Sequence, residues 1–281
     1  MTDKPLPEPP APLPVPTTDA HTHLGTTAAK TGLTPADALA RARAVGVHRV
    51  VDVGYDPESS REAVALAMTH PGVVAAVAVH PHDAVELGDD LDEGLRAVEA
   101  LLRTSDRIRA IGETGLDYYW VKDPAAQRIQ RDAFATQIGW AREHDLALVI
   151  HDRDAHADLA DVLDAQGWPD RVQMHCFSGD AEFARRCLAG GAYLSFPGTV
   201  TFKANGYLRE ALRITPLDRL LVETDAPYLT PVPQRGHPNA SYLLPHTVRF
   251  LAEVLGADLD ALSARLDANA TAVFGAWGPD A

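Results

Sequence analysis

Cysteine is scarce in this chain. Cys176 and Cys187 are the only two in 281 residues, too few for a disulfide framework and without the Cys-x-x-Cys spacing of a zinc or redox pair. Long apolar runs are missing too: nothing approaches the roughly 18 consecutive residues of a membrane span, so no membrane partner is expected. The opening MTDKPLPEPPAPLPVPTT lacks the basic-then-apolar order of a secretion signal. It reads instead as a proline-rich, disordered tail over residues 1–16, and the protein as cytoplasmic. Positive charge is in deficit, with 25 Lys and Arg against 39 Asp and Glu and a net charge of −14, which argues against a long basic groove for nucleic acid. No Ser/Gly linker or charge block divides the chain, so residues 17–281 are expected to form one domain.

What is present is a repeated alternation. Eight short apolar runs, at TTDAHTH, VHRVVDVG, VVAAVAVH, IRAIGETG, LALVIHD, RVQMHCF, AYLSFPG and RLLVETD, have the near-continuous Val, Ile, Leu and Ala of strands buried on both faces. Between them lie amphipathic stretches such as TPADALARARAVG and PESSREAVALAMTH, which open on Pro, Ser or Asp and close near Gly. Eight β-α units predict a (β/α)8 TIM barrel in a single domain. An open doubly wound sheet is disfavoured, because no Gly-x-Gly-x-x-Gly follows the first strand. Met68 and Phe134 are expected in the core, on apolar helix faces.

The unusual polar residues fall at the carboxyl ends of these strands: His21 and His23, His80, Glu113, His151, His175 and Asp225. Barrel strand ends converge on one rim, where barrel active sites are built. A lone histidine in a chain carrying 12 is ordinarily a surface or hydrogen-bonded residue, and a lone carboxylate at a strand end is ordinarily a cap. Jointly they would be a concentration of polar groups without burial partners, and a metal centre supplies the partner. Imidazole and carboxylate ligands suit zinc, manganese, iron, cobalt or magnesium, and six ligands exceed one tetrahedral site. Two divalent ions are therefore expected, with Mg2+, Mn2+ or Zn2+ as candidates. His21, His23 and Asp225 would hold one, His151 and His175 the other, and Glu113 would bridge. A bridging water would be the nucleophile and Asp225 the general base.

The segments DAHTHL, VAVHPHD, IGETGLDYY, VIHDRDA, MHCFSGD, YLSFPGTVTFK, LLVETDAPYLTPVPQRG and NATAVFG together resemble the TatD family of metal-dependent deoxyribonucleases, from about Thr18 to Gly275. The resemblance implies a (β/α)8 barrel, a two-metal centre and hydrolysis of DNA phosphodiester bonds. The family's ligands fall on His21, His23, Glu113, His151, His175 and Asp225, and its substrate-proximal histidine on His80. The chain departs from the family pattern at Gly25, at Val79 and in HPNAS around Asn239, and none of these removes a ligand. Arg153 and Lys203 are placed to contact a phosphate oxygen. Tyr118, Tyr119 and Trp120 are placed to stack on an unpaired base, and Arg235 and His237 to border the pocket. The expected partner is DNA, as single strands or ends, since two divalent ions supply positive charge where one phosphate binds.

Two other readings compete. A two-metal hydrolase of amides, lactones or phosphoesters would share the rim, yet relatives of that kind bridge their metals with a carboxylated lysine on strand four, where this chain has Glu113. A noncatalytic role in export, which the family name suggests, sits poorly with an intact ligand set. Asp19 is expected to orient an imidazole, and Cys176 to point away from His175.

Overall fold

The computed structural model describes residues 4–277. Eight strands, β1 (Thr17–Thr22), β2 (Val47–Val53), β3 (Val73–Val77), β4 (Ile108–Asp117), β5 (Ala147–Arg153), β6 (Val172–Met174), β7 (Tyr193–Phe196) and β8 (Leu220–Val222), pair in chain order. Every pairing is parallel. The seam between β8 and β1 is drawn together by a parallel bridge from Thr22 to Ala226. Asp225 N donates to His21 O there at 2.9 Å. The eight-stranded TIM barrel expected from the sequence is the fold.

Helices cover the outside, and their starts are written locally. Thr34, Asp56, Asp123, Asp180 and Asp258 each accept a backbone N–H of the first turn. Phe134 is fully buried, as expected, but Met68 is 64% exposed. Its helix, Pro57–Thr69, buries Ser60, Ala63, Val64 and Ala67, and one residue past Ala67 the helix has turned about 100° toward solvent.

Two apolar layers result. Outward residues such as Leu148, Ile150, Met174, Leu194 and Phe196 meet the helices. The inside is filled by small residues, among them Ala20, Val51, Val74, Ala76, Ala110, Ala147 and Val149, together with Val273, Phe274 and Trp277. Those last three come from the end of helix Leu259–Phe274 and the segment beyond it, and they close the amino-terminal mouth. Each fully buried aromatic contributes about 2–3 kcal/mol.

Regular alternation would not aim all the polar residues inward, and two register shifts correct it. In β1, Asp19 pairs with Val50 and Thr22 with Asp52, so Ala20 and His21 together face Val51. In β4, Ile111 pairs with Leu148 and Thr114 with Ile150, so Gly112 and Glu113 together face Val149. Each bulge re-aims a side chain toward the barrel axis. Glycine is required on both sides of Glu113. A Cβ on Gly112 would lie 2.4 Å from Val149 Cβ, and one on Gly115, whose φ is +144°, would lie 2.0 Å from the carbonyl oxygen of His151.

The proline-rich segment differs from the expected loose tail. From Lys4 onward it is extended without regular structure but lies against the barrel. Tyr242 OH donates to Pro7 O at 2.6 Å, Arg249 Nη2 to Ala11 O and Pro12 O at 2.8 Å, and Leu13, with its side chain buried, donates its N–H to Val45 O. Tertiary partners, rather than proline content, decide its placement. No helix among the described residues is long and apolar enough to cross a membrane.

Candidate metal centre and active site

The carboxyl-end rim holds a cavity of about 630 Å³ whose lining includes His23, His80, Glu113, His151, His175 and Asp225. Glu113 lies at its centre, buried, with its two oxygens facing different partners. Oε2 is 3.6 Å from His21 Nε2 and 3.8 Å from His23 Nε2. Oε1 is 2.6 Å from His151 Nδ1, 3.3 Å from His175 Nε2 and 3.7 Å from His80 Nε2. Asp225 Oδ1 stands 3.5 Å from His23 Nε2 and 3.8 Å from His21 Nε2, completing the first group. Asp225 adopts a left-handed backbone, φ 53°, which costs a non-glycine residue roughly 1–2 kcal/mol and concentrates at functional sites.

These donors fit a metal. Two nitrogens on one tetrahedral ion at roughly 2.0–2.1 Å stand about 3.3 Å apart, and the Nε2 atoms of His21 and His23 are 3.3 Å apart. The sets His21–His23–Asp225 and His21–Glu113–His175 each bring one ligand atom per residue within 4.8 Å of the others.

Two of the four imidazoles have their outer nitrogen hydrogen-bonded and a third has a carboxylate beside it, all from partners that the sequence motifs did not single out as such. His23 Nδ1 donates to Val53 O at 2.7 Å. His151 Nε2 is 3.1 Å from Asp117 Oδ2, and His175 Nδ1 is 2.8 Å from Glu223 Oε1. Such partners set the tautomer and orientation of a ligand histidine. The signal was position: Asp117 lies four residues after Glu113 on the same strand, and Glu223 two before Asp225. The Nδ1 atoms of His21 and His175 are both buried without a hydrogen bond among the described residues; Glu223 stands 2.8 Å from the second as a counter-charge, outside hydrogen-bond geometry.

Asp19 corrects an expectation. It accepts from Thr224 Oγ1 at 2.6 Å, from Thr224 N at 2.9 Å and from the backbone N of His21, so it ties β1 to the segment after β8 instead of holding an imidazole. Burial pushes it up to about 7 against those hydrogen bonds. Cys176 corrects another. β6 ends at Met174, and Cys176 turns into the left-handed region at φ 44°, which brings it to the cavity wall beside His175.

The outer residues divide. Arg153 lines the cavity, with its guanidinium 3.9 Å from the Tyr119 ring centroid, and Trp120 lines it too. Tyr118 is tied down instead, donating to Asp158 Oδ2 at 2.8 Å. Lys203 is exposed outside the cavity; after β7 the chain coils into the turn Gly198–Thr201, and Asn205 and Tyr207 reach the cavity in its place. His80 Nδ1 accepts from His82 N at 3.1 Å, which leaves its proton on Nε2, facing Glu113. Burial, then the neighbouring His151, drives His80 down to about 3, so it is neutral.

His21 is also pushed below 6.5, by burial and then by His175, and is neutral, whereas Glu113, His151 and His175 are charged in the metal-free protein. Burial opposes ionisation of Glu113, but His175, His151 and His21 outweigh it and hold its carboxyl well below the usual range. Burial likewise opposes a charge on His151, yet Asp117 and Glu113 raise it from 6.5 to about 9. His175, beside Glu223 and Glu113, is raised well above 6.5 against its burial.

Residues 18–275 match the family described as TatD related DNase. The chain belongs to the TatD family. A TatD relative in Mycobacterium tuberculosis, named an uncharacterized metal-dependent hydrolase, is 44% identical over 260 residues, covering 92% of this chain and 97% of its own length. Another in Cronobacter sakazakii, named a 3'-5' ssDNA/RNA exonuclease, is 38% identical over 244 residues, covering 84% and 90%. The crystal structure of a TatD homologue from Escherichia coli K12 has a TM-score of 0.82 at 26% identity, over 92% of this chain and 98% of that one. As a TatD protein this chain is a metal-dependent hydrolase acting on ester bonds.

The protonated imidazoles make a prediction. If His151 and His175 are ligands, metal takes the lone pair that a proton occupies in each, so loading at pH 7 is expected to release protons and apparent metal affinity to rise as pH climbs toward about 9. The sign for stability is the reverse in metal-free protein: a raised pKa stabilises fully below 6.5, and the contribution is lost between 6.5 and about 9. Titrating Zn2+ or Mn2+ into metal-free protein in weak buffer measures the release directly. Loading without proton release would remove His151 and His175 from the ligand set.

Proposed function

We propose that this protein is a two-metal deoxyribonuclease that hydrolyses phosphodiester bonds of single-stranded or end-accessible DNA. The observation that carries the reading is the division of Glu113, with Oε2 toward His21 and His23 and Oε1 toward His151 and His175. A carboxylate that faces two histidine sets with separate oxygens suits a bridge between two ions. His21, His23 and Asp225 would hold one and His151 and His175 the other, with Mg2+, Mn2+ or Zn2+ as the metals.

When bound, a divalent pair supplies electrostatic stabilisation of the phosphoryl oxygens and acidifies a water. The chain's own residues do the rest. Asp225 is held ionised, since the His23 hydrogen bond and the neighbouring imidazoles outweigh its burial, so its carboxylate accepts a proton from the attacking water. His80 offers Nε2–H into the cavity as a donor to a phosphate oxygen. Arg153, braced on Tyr119, offers an N–H fork to the same group, and Trp120, 64% exposed, gives an unpaired base a face to stack on. The relative named 3'-5' ssDNA/RNA exonuclease supports a strand end as substrate.

The test uses metal-stripped protein and a labelled single-stranded oligodeoxynucleotide, with Mg2+, Mn2+ or Zn2+ restored separately and a blunt duplex in parallel. Metal-dependent cutting that favours the single strand is expected. No cutting with any ion, at confirmed metal occupancy, would transfer the same site to a small amide, lactone or phosphoester.

A further inference from the structure

A second hollow, of about 440 Å³, opens beside the first. Tyr228 and Leu229 line both and form their common wall. The two differ in charge. Asp83, Glu113, Asp117, Asp152 and Asp225 line the first. The second is lined by no carboxylate, in a chain with 39 acidic residues. Its fixed cations are Lys30, near the end of helix Leu24–Thr31, and Arg235, in the loop after β8.

Both cations are pre-positioned by aromatic faces. Lys30 Nζ lies 3.9 Å from the Tyr228 ring centroid, and Arg235 Cζ lies 4.2 Å from that of Phe202. A ring face orients a cation without neutralising it, so the positive charge stays available to an anion. The loop that carries Arg235 is pinned as well. Val232 N donates to Thr201 Oγ1 at 2.9 Å, Thr230 Oγ1 to His237 O at 2.5 Å, and the Nδ1 of His237 to Pro5 O at 3.0 Å. Tyr228 links this hollow to the chemistry: its ring centroid is 6.3 Å from that of His23 and 3.9 Å from the Lys30 ammonium. One tyrosine ring therefore neighbours both a candidate metal ligand and a fixed cation.

We propose that the second hollow is the subsite for a phosphate neighbouring the scissile one on the same nucleic-acid strand, with Lys30 and Arg235 on its oxygens and the strand crossing Tyr228 and Leu229. The inference rests on the nuclease reading above and deepens it. The substrate is then a strand with consecutive phosphates rather than a small ester. Binding through phosphate carries no sequence information, so the enzyme cuts with weak sequence selectivity. The local cations also account for how a chain of net charge −14 grips a polyanion without a basic groove.

The experiment compares Lys30→Ala, Arg235→Ala, the double variant and Arg103→Ala, an exposed cation on the outside of the barrel, in metal-loaded protein. Two substrates are used: a short single-stranded oligodeoxynucleotide and bis(4-nitrophenyl) phosphate, which carries a single phosphodiester. Each subsite substitution is expected to raise KM for the oligonucleotide roughly tenfold with kcat little changed. The salt dependence of oligonucleotide kcat/KM should flatten by about 1 in log–log slope per cation removed. Lys30→Arg should retain the wild-type KM, and the small diester and Arg103→Ala should be unaffected. Wild-type oligonucleotide kinetics in the double variant, or equal losses on both substrates, would overturn the subsite and leave the nuclease reading standing. Wild-type protein that hydrolyses the small diester but no oligonucleotide would overturn both.

Discussion

Glu113→Gln lowers metal-dependent hydrolysis by a factor on the order of 10³ or more in kcat/KM while the barrel stays folded. Glu113 is 6% exposed and its oxygens stand between His21 and His23 on one side and His151 and His175 on the other. Glutamine keeps the shape and one acceptor oxygen but removes the charge and turns an N–H2 group toward one of the two histidine sets. That side of the site then has a donor where a ligand is needed. The effect on folding is smaller, below about 2 kcal/mol, because His151 and His175 can shed the protons that Glu113 helps them keep; a removed partner is most damaging when it strands a charge that cannot neutralise. Metal content, circular dichroism and kcat/KM on one preparation separate these effects. A variant with full metal occupancy and wild-type rates would remove Glu113 from the bridging role, whatever the rest of the site does.

Glu113 also illustrates what the sequence makes readable. The β-α repeat, the barrel and the clustering of His21, His23, His80, Glu113, His151, His175 and Asp225 at one rim follow from apolar runs that end in polar residues, because strand direction and strand order suffice to bring those ends together. Face alternation is a weaker guide. It holds within regular strand and fails where the strand bulges, at Ala20–His21 and Gly112–Glu113, or stops, as before Cys176. The partners that fix the imidazoles depend on which carboxylate folds beside which ring. Asp19 is two residues from His21, yet its side chain pairs with Thr224, while His175, after β6, stands beside Glu223, after β8. Likewise the association of Pro7 with Tyr242, or of Lys30 and Arg235 with one hollow, joins segments more than 200 positions apart, and no local pattern records it.

Glu223 is the residue where this long-range information has its largest consequence. It is fully buried, accepting from Ser195 Oγ at 2.6 Å, Cys176 N at 2.8 Å and Gln173 Nε2 at 3.0 Å while standing 2.8 Å from His175 Nδ1. Glu223→Ala leaves those buried groups unpaired and a raised imidazole without its counter-charge, a loss on the order of 3–5 kcal/mol, or roughly 10 °C in melting temperature. Glu223→Gln acts differently. Its side chain fits and its oxygen keeps the bonds from Ser195 and Gln173, so the loss is smaller than for alanine, about 1–3 kcal/mol for the Cys176 N–H that then faces an amide donor. An amide N–H2 turned toward Nδ1 of His175, however, moves that ring's proton to Nε2, the nitrogen facing Glu113, where it competes with metal. Metal affinity should then fall 10- to 100-fold with a smaller loss of melting temperature than in Glu223→Ala, and competition titration against a chelating dye alongside thermal unfolding reads both. If Glu223→Gln binds metal as the wild type does and Glu223→Ala loses stability alone, Glu223 serves only as a tie between β6, β7 and β8, and the orientation of His175 is set elsewhere.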